Sequence, residues 1–199
     1  MVAVRARPLR VLDLDSECRP LSWISHDYVS KELTAIAWAW TDQPSEMTCY
    51  VLGETDLPTM LRAFLAAYSE ADVVTGHYLR GHDLPLLNGA LMEQQMPALG
   101  DKMTHDTKTD LIVRGGISAS QENLSAMLRL EHNKVHMDQA KWREANRLTP
   151  EGREEARKRV TGDVAQHIEL RQRLLALGYL GPMKKWRSNS SAPMATYIP

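Results

Sequence analysis

The sequence predicts an α/β domain whose sheet mixes antiparallel and parallel strand pairs, and three observations carry that expectation. Arg10-Val11-Leu12-Asp13-Leu14-Asp15-Ser16-Glu17-Cys18 is an apolar run, with Val11, Leu12 and Leu14 forming a short buried strand that ends in acidic residues. Two further β-prone runs follow at once, Thr34 to Trp40 and Met47 to Leu52, so the chain starts as a three-stranded antiparallel unit. An amphipathic segment then precedes Val73-Val74-Thr75-Gly76 and is long enough for a crossover, which lets this last strand lie parallel to the first.

Taken in order, the second strand alternates small and large apolar side chains, Ala35-Ile36-Ala37-Trp38-Ala39-Trp40, and a polar turn from Thr41 to Glu46 separates it from the third. Asp56 is placed to cap a helix with Pro58 in its first turn and Leu57, Met60, Leu61, Phe64, Leu65 and Tyr68 along one face. A second helix is expected around Asp83-Leu84-Pro85, running with Leu87, Leu91 and Met92 to about Met96. A third is expected from Ser120 to Leu130, with Leu124, Met127 and Leu128 inward, after the flexible Gly115-Gly116 turn. Thr149-Pro150 opens the final helix and Gly178 closes it. Its start, Glu151 to Arg159, is charged all round and reads as solvated, while Val160, Val164, Ile168 and Leu175 form an inward stripe. The division expected is one domain over residues 1–180 and an irregular, mobile tail over 181–199, where Ser188 to Ser191 and two prolines lie.

A chain of 199 residues suits a single core, and its net charge of −1 rules out a uniformly basic surface, so any nucleic acid must be held by local patches. Cys18 and Cys49 lie far apart without zinc-ligand spacing, which favours reduced thiols in a cytoplasm. No apolar stretch approaches the roughly 20 residues of a membrane span, and no signal-peptide core opens the chain. The expectation is therefore a cytoplasmic protein with no membrane partner.

Residues two apart on a strand share a face, so Asp15 and Glu17 project together and repel. Something positive is required between them: a divalent cation, an Arg or Lys, or a shared proton. On the last helix, Asp163 and His167 fall on or beside the apolar stripe, and an acid at a core margin is costly unless paired or metal-bound. Asp83, just after the later strand, adds a further carboxylate. Oxygen ligands without a cysteine cluster suit hard cations such as Mg²⁺ or Mn²⁺.

With these residues in view the chain resembles the DEDD (DnaQ-like) 3′-to-5′ exonucleases of the ribonuclease H-like superfamily. Asp15-Ser16-Glu17 is similar to their first D-x-E motif, Gly76-His77-Tyr78-Leu79-Arg80-Gly81-His82-Asp83 to the second, and Asp163-Val164 to the third, over about residues 8–177. The resemblance implies a ribonuclease H-like fold with a mixed sheet of about five strands flanked by helices. It implies two divalent cations, Mg²⁺ or Mn²⁺, held by Asp15, Glu17, Asp83 and Asp163, and release of nucleoside 5′-monophosphates from single-stranded ends, DNA favoured over RNA. Replication or repair proteins acting in trans are the further partners it suggests.

Four positions depart from the family pattern. Tyr78 stands where Asn is usual, His82 where Phe is usual, and Arg159 and Lys158 where a Tyr or His would orient the attacking water. Arg remains protonated and Lys needs a large downward pKa shift, so neither serves as a base. The base is then absent, the helix register shifts locally, or another residue substitutes; His167, one turn after Asp163, is the candidate. A pseudo-nuclease that keeps the fold as a nucleic-acid or partner-binding module is the alternative, and an endonuclease or resolvase a third. Asp13 reads as a strand-side polar residue, and Asp106 and Asp110 as loop and cap residues. His77, His82 and His105 read as surface or core histidines, and Lys184, Lys185 and Arg187 around Trp186 as either a solvated tail or a guide for a single strand.

Overall fold

The computed structural model describes residues 7–21, 30–113, 115–132 and 135–188. Its chain order is β1 (Val11–Pro20), β2 (Lys31–Trp40), β3 (Gln43–Val51), α1 (Leu57–Glu70), β4 (Val73–Gly76), α2 (Asp83–Glu93), β5 (Lys102–Asp106), α3 (Gln121–Leu128), α4 (Gln139–Arg147), α5 (Pro150–Ala176) and β6 (Lys184–Trp186). These form one mixed six-stranded sheet in the order β3-β2-β1-β4-β5-β6. The pairs β3–β2, β2–β1 and β5–β6 are antiparallel, whereas β1–β4 and β4–β5 are parallel.

The small/large alternation of β2 assigns the two faces of the sheet. Ile36 and Trp38 join Leu12, Leu14, Met60, Leu61, Phe64 and Leu87 in the larger core, under α1 and α2. Ala35, Ala37 and Ala39 point the other way, against Val160, Val164 and Ile168 of α5. Methyl groups leave room for a helix to lie close to the sheet, so the 27-residue α5 contacts β1, β2 and β3 along one face. A register shift between Glu17 and Cys18 bends the strand just past the acidic pairings and places Leu33 in the larger core.

Several elements differ from expectation in their limits. The turn after β2 is only Thr41 and Asp42, because Trp40 already pairs with Gln43 and Thr41 N donates to Val11 O. The second helix stops at Glu93, and the third at Leu128, where Arg129 takes a left-handed conformation with φ 52°. Met127 is exposed, and on α5 Leu170 and Leu174 are buried in place of Leu175. The start of α5 is solvated only on one side: Glu151, Glu154 and Lys158 are exposed, whereas Gly152 and Ala156 are buried, Lys141 of α4 pairs with Glu155 at 2.7 Å, and Glu54 pairs with Arg157 and Arg153. Glu155 thus finds a partner on α4, Arg153 and Arg157 find one on the turn after β3, and Lys158 pairs within α5.

The tail is in part a strand, since Lys184–Trp186 extends the sheet beside β5. Lys184 Nζ reaches Asp110 Oδ1 at 2.8 Å and Lys185 Nζ reaches Asp101 Oδ2 at 2.9 Å, so the basic side chains that read as solvated or strand-guiding are held by acids of the same chain. Residues 189–199, including Ser190 and Ser191 of that tail, lie outside the described residues. Among the described residues no helix is long and apolar enough to cross a membrane.

Candidate metal centre

The centre is built where α5 runs past the odd-numbered side chains of β1. Two strand residues advance about 6.7 Å and four helical residues about 6 Å, so a helix laid along a strand keeps step with it over several positions. Residues 17, 15 and 13 of β1 thus meet 159, 163 and 167 of α5. Arg159 Nε lies 3.3 Å from Glu17 Oε1, and His167 Nδ1 lies 3.0 Å from Asp13 Oδ1. Between these two pairs, like charge faces like: Asp15, Glu17 and Asp163 each offer a ligand oxygen, and these oxygens all lie within 4.8 Å of one another. Among the described residues this is the grouping of three or more His, Cys, Asp or Glu side chains able to hold a metal.

The donor set fits a hard divalent cation. It consists of carboxylate oxygen alone, the donor chemistry that such cations prefer. Arg159 supplies positive charge beside it. Its Nε is 3.0 Å from Asp163 Oδ2 as well as 3.3 Å from Glu17, while its other arm donates to Val135 O at 2.5 Å. The position that the resemblance assigns to a water-orienting Tyr or His thus belongs to a half-buried counter-charge.

Asp83 stands at the first residue of α2 and is buried, outside the three-carboxylate group. Ser16, which alternates with Asp15 and Glu17 and so faces the opposite side of β1, donates to Asp83 Oδ1 at 2.5 Å. Burial, with the charges of Glu17 and Asp106 nearby, pushes the Asp83 carboxyl up to about 7 against that hydrogen bond. Asp83 therefore borders the centre through Ser16 and feels its charge without sharing its oxygens.

His167 is brought to Asp13, one rung from the three carboxylates. Its Nδ1 faces Asp13, which also accepts from Thr41 Oγ1, and its Nε2 has no hydrogen-bond partner among the described residues. Asp13 is fully buried on β1 and outside the three-carboxylate group, where it pairs with His167. The i, i+2 alternation that singled out Asp15 and Glu17 extends back to Asp13, and His167 is two turns beyond Arg159; pairing the two series would have found this contact.

The loop before α2 is fastened by residues that sequence patterning left without a role. The Asp106 carboxylate accepts from the backbone N–H groups of Tyr78, Arg80, Lys108 and Thr109 at 3.0–3.1 Å. Arg80 forms two hydrogen bonds to Asp110, of 2.9 and 2.6 Å. Tyr78 is held at φ 67°, a left-handed conformation that Asn tolerates more easily, with Lys108 Nζ 4.1 Å above its ring. His77 and His105 make ordinary hydrogen bonds, to Thr107 Oγ1 and Gly181 O respectively. His82 lines a cleft of about 390 Å³ with Lys31, Pro85 and Leu86. A second cleft, of about 240 Å³, is lined by Arg159, Trp142, His136, Met137 and Glu122 and so opens beside the carboxylates.

No protein-family model matches the chain, and no curated protein sequence matches it. Among solved structures it is similar to the family B DNA polymerase from the hyperthermophilic archaeon Pyrobaculum calidifontis, with a TM-score of 0.65 and 19% identity over 85% of this chain. The similar region is 25% of that polymerase, so this chain spans about a quarter of its length. The likeness extends to the fold, and the chain has the ribonuclease H-like α/β architecture, with an acidic cluster suited to a divalent cation between its first strand and its last long helix.

Proposed function

We propose that this chain is a divalent-cation-dependent 3′-to-5′ exonuclease of the DEDD type, acting in the cytoplasm on single-stranded ends, DNA in preference to RNA. The observation that carries this is the convergence of Asp15, Glu17 and Asp163 at 4.8 Å or less, in a fold similar to that of a DNA polymerase. A bound Mg²⁺ or Mn²⁺ supplies a lowered pKa for the attacking water and positive charge at the scissile phosphate. The protein's share is positioning. Asp15, Glu17 and Asp163 come from two rigid elements, which keeps their oxygens aimed at one point without loop ordering on binding. Asp83, which lies outside the three-carboxylate group, is the fourth carboxylate that the resemblance assigns, and Ser16 donates to its Oδ1.

His167 is the residue proposed to take the proton of the attacking water. Asp13 against Nδ1 favours the tautomer with its proton there, which leaves Nε2 as the basic atom. Trp142 and His136, in the cleft that Arg159 also lines, offer aromatic faces for a terminal base. Replication or repair proteins in trans are the proposed partners for delivery of the strand.

The test is a time course on a 5′-labelled single strand with Mn²⁺. A ladder shortening from the 3′ end is expected from the wild type, with Asp163→Ala reducing the rate by at least about 10³-fold and His167→Ala by about 10²-fold. A strand that stays intact with wild-type protein, or a ladder unchanged in Asp163→Ala, defeats the proposal. Arg159 among the carboxylates favours one second reading, a catalytically weak nucleic-acid or partner-binding module. Mobility shift of an uncut strand is its mark.

A further inference from the structure

We propose that His105, His167 and Arg171 hold one internal water molecule between β5 and α5, bonded to Nε2 of His167. The site is built from groups outside the three carboxylates and does not rest on the exonuclease reading. Its frame is a rung of the sheet: Asp13 of β1 pairs with Thr75 of β4, and Thr75 with His105 of β5. Partners on one rung share a face, and two strand spacings set Asp13 and His105 about 10 Å apart. α5 covers that face, because His167 reaches Asp13 at 3.0 Å, and Arg171 follows His167 by about one helical turn.

All three side chains are more than nine-tenths buried: His167 is 1%, His105 3% and Arg171 8% exposed. His167 Nε2, His105 Nδ1 and Arg171 Nε nonetheless have no hydrogen-bond partner among the described residues, an unfavourable state for buried polar atoms. Their charges also bear on one another. Burial pushes the His105 pKa down, and Arg171 and His167 add to that push; burial lowers Arg171 as well, opposed by Asp13.

The tautomers decide what the three nitrogens can bind. A carbonyl only accepts, so the 2.7 Å bond to Gly181 O puts the His105 proton on Nε2 and leaves Nδ1 an acceptor. The Asp13 carboxylate accepts from Nδ1–H of His167 and leaves Nε2 an acceptor. Arg171 Nε–H can only donate. Thr75, between the two histidines, gives its hydroxyl proton to His105 O at 2.6 Å and so has none for their ring nitrogens. Two acceptors and one donor are met by the two hydrogens and one lone pair of a water molecule, and about three bonds is the usual complement of a buried water. An anion has no proton to donate to the histidines, and a metal ion is repelled by the guanidinium.

The unmodified full-length chain decides the matter. A high-resolution crystal structure is expected to show one water within hydrogen-bond distance of all three nitrogens, and crystals soaked in bromide are expected to show no anomalous peak there. Long-range ¹H–¹⁵N NMR in solution is expected to find His105 protonated on Nε2 and His167 on Nδ1. A dry site, a bromide peak, a direct bond from Arg171 to either histidine, or the opposite tautomer in either ring overturns the inference. The water donates to the lone pair that the exonuclease reading makes basic, so that nitrogen must break this bond before it takes a proton. Each reading can still fail alone, since the water is seen without cutting and cutting is measured without the water.

Discussion

Burial alone would raise the pKa of Asp110, whose side chain is fully enclosed, but hydrogen bonds from Arg80 and Lys184 outweigh it and bring the carboxyl to about 2. A carboxylate depressed in the folded state adds stability that is fully present above its unfolded pKa, near 4, and is lost as pH falls towards 2. Urea midpoints measured from pH 7 to pH 2 should fall in that window, and Asp110→Asn should flatten the fall while costing about 1–2 kcal/mol at pH 7, screening allowed for. Equal slopes in the two proteins would show that the acid transition belongs to other groups. The same logic separates the acids of β1. Asp13 meets a histidine, Arg159 reaches both Glu17 and Asp163, and the oxygens of Asp15, Glu17 and Asp163 converge, so one periodic pattern yields a histidine pair beside a carboxylate cluster. Sequence alternation made a demand for positive charge legible for Asp15 and Glu17; it left open which of a metal, an Arg or a proton meets it, because the answer depends on the register between a helix and a strand far apart in sequence.

At the scale of elements, those with strong local signals formed as the pattern requires. Asp56, Ser120 and Thr149 each accept a backbone N–H from three residues on, and β4 occupies Val73–Gly76 as expected. The elements that sequence patterning missed lack such signals. β5, Lys-Met-Thr-His-Asp, has a polar composition and is a strand through its parallel pairing with β4; α4 is mostly polar and contributes Ala145 as its buried residue. Its place is set by contact with α5, and there one glycine decides the approach. A Cβ at Gly152 would sit 2.0 Å from Glu144 O, a backbone atom that cannot rotate away. Gly152→Ala must therefore push α4 from α5, with an expected loss of about 1–3 kcal/mol by chemical denaturation. Because Trp142 and Arg159 flank the cleft on those two helices, the substitution should also weaken strand binding. A variant of wild-type stability would mean that the helices tolerate a wider spacing.

At the scale of the whole molecule, the polarity of the chain from antiparallel hairpins to parallel crossovers was readable because each step is local: an alternating run, a turn, a capped helix, a buried strand. The closing edge was not readable, because Lys184-Lys185-Trp186 carries no alternation that distinguishes a strand from a solvated basic tail. What makes it a strand is placed far away in sequence, the open edge of β5 and the acids Asp101 and Asp110. β6 is thus part of the domain's electrostatics. Lys184 shares Asp110 with Arg80, and Arg80 belongs to the loop that presents Asp83. A chain ending at residue 181 loses the β5–β6 pairing and the Lys184 and Lys185 ion pairs, and it leaves the β5 edge open to other chains. Compared with a chain ending at residue 188, it should lose about 1–3 kcal/mol of stability and associate at high protein concentration, as read by urea denaturation and light scattering. Its apparent acid transition should also move to higher pH, since Asp110 then has one cation fewer. If both truncations match the full chain in midpoint, association and acid transition, β6 is an ornament of the edge and Arg80 alone holds Asp110.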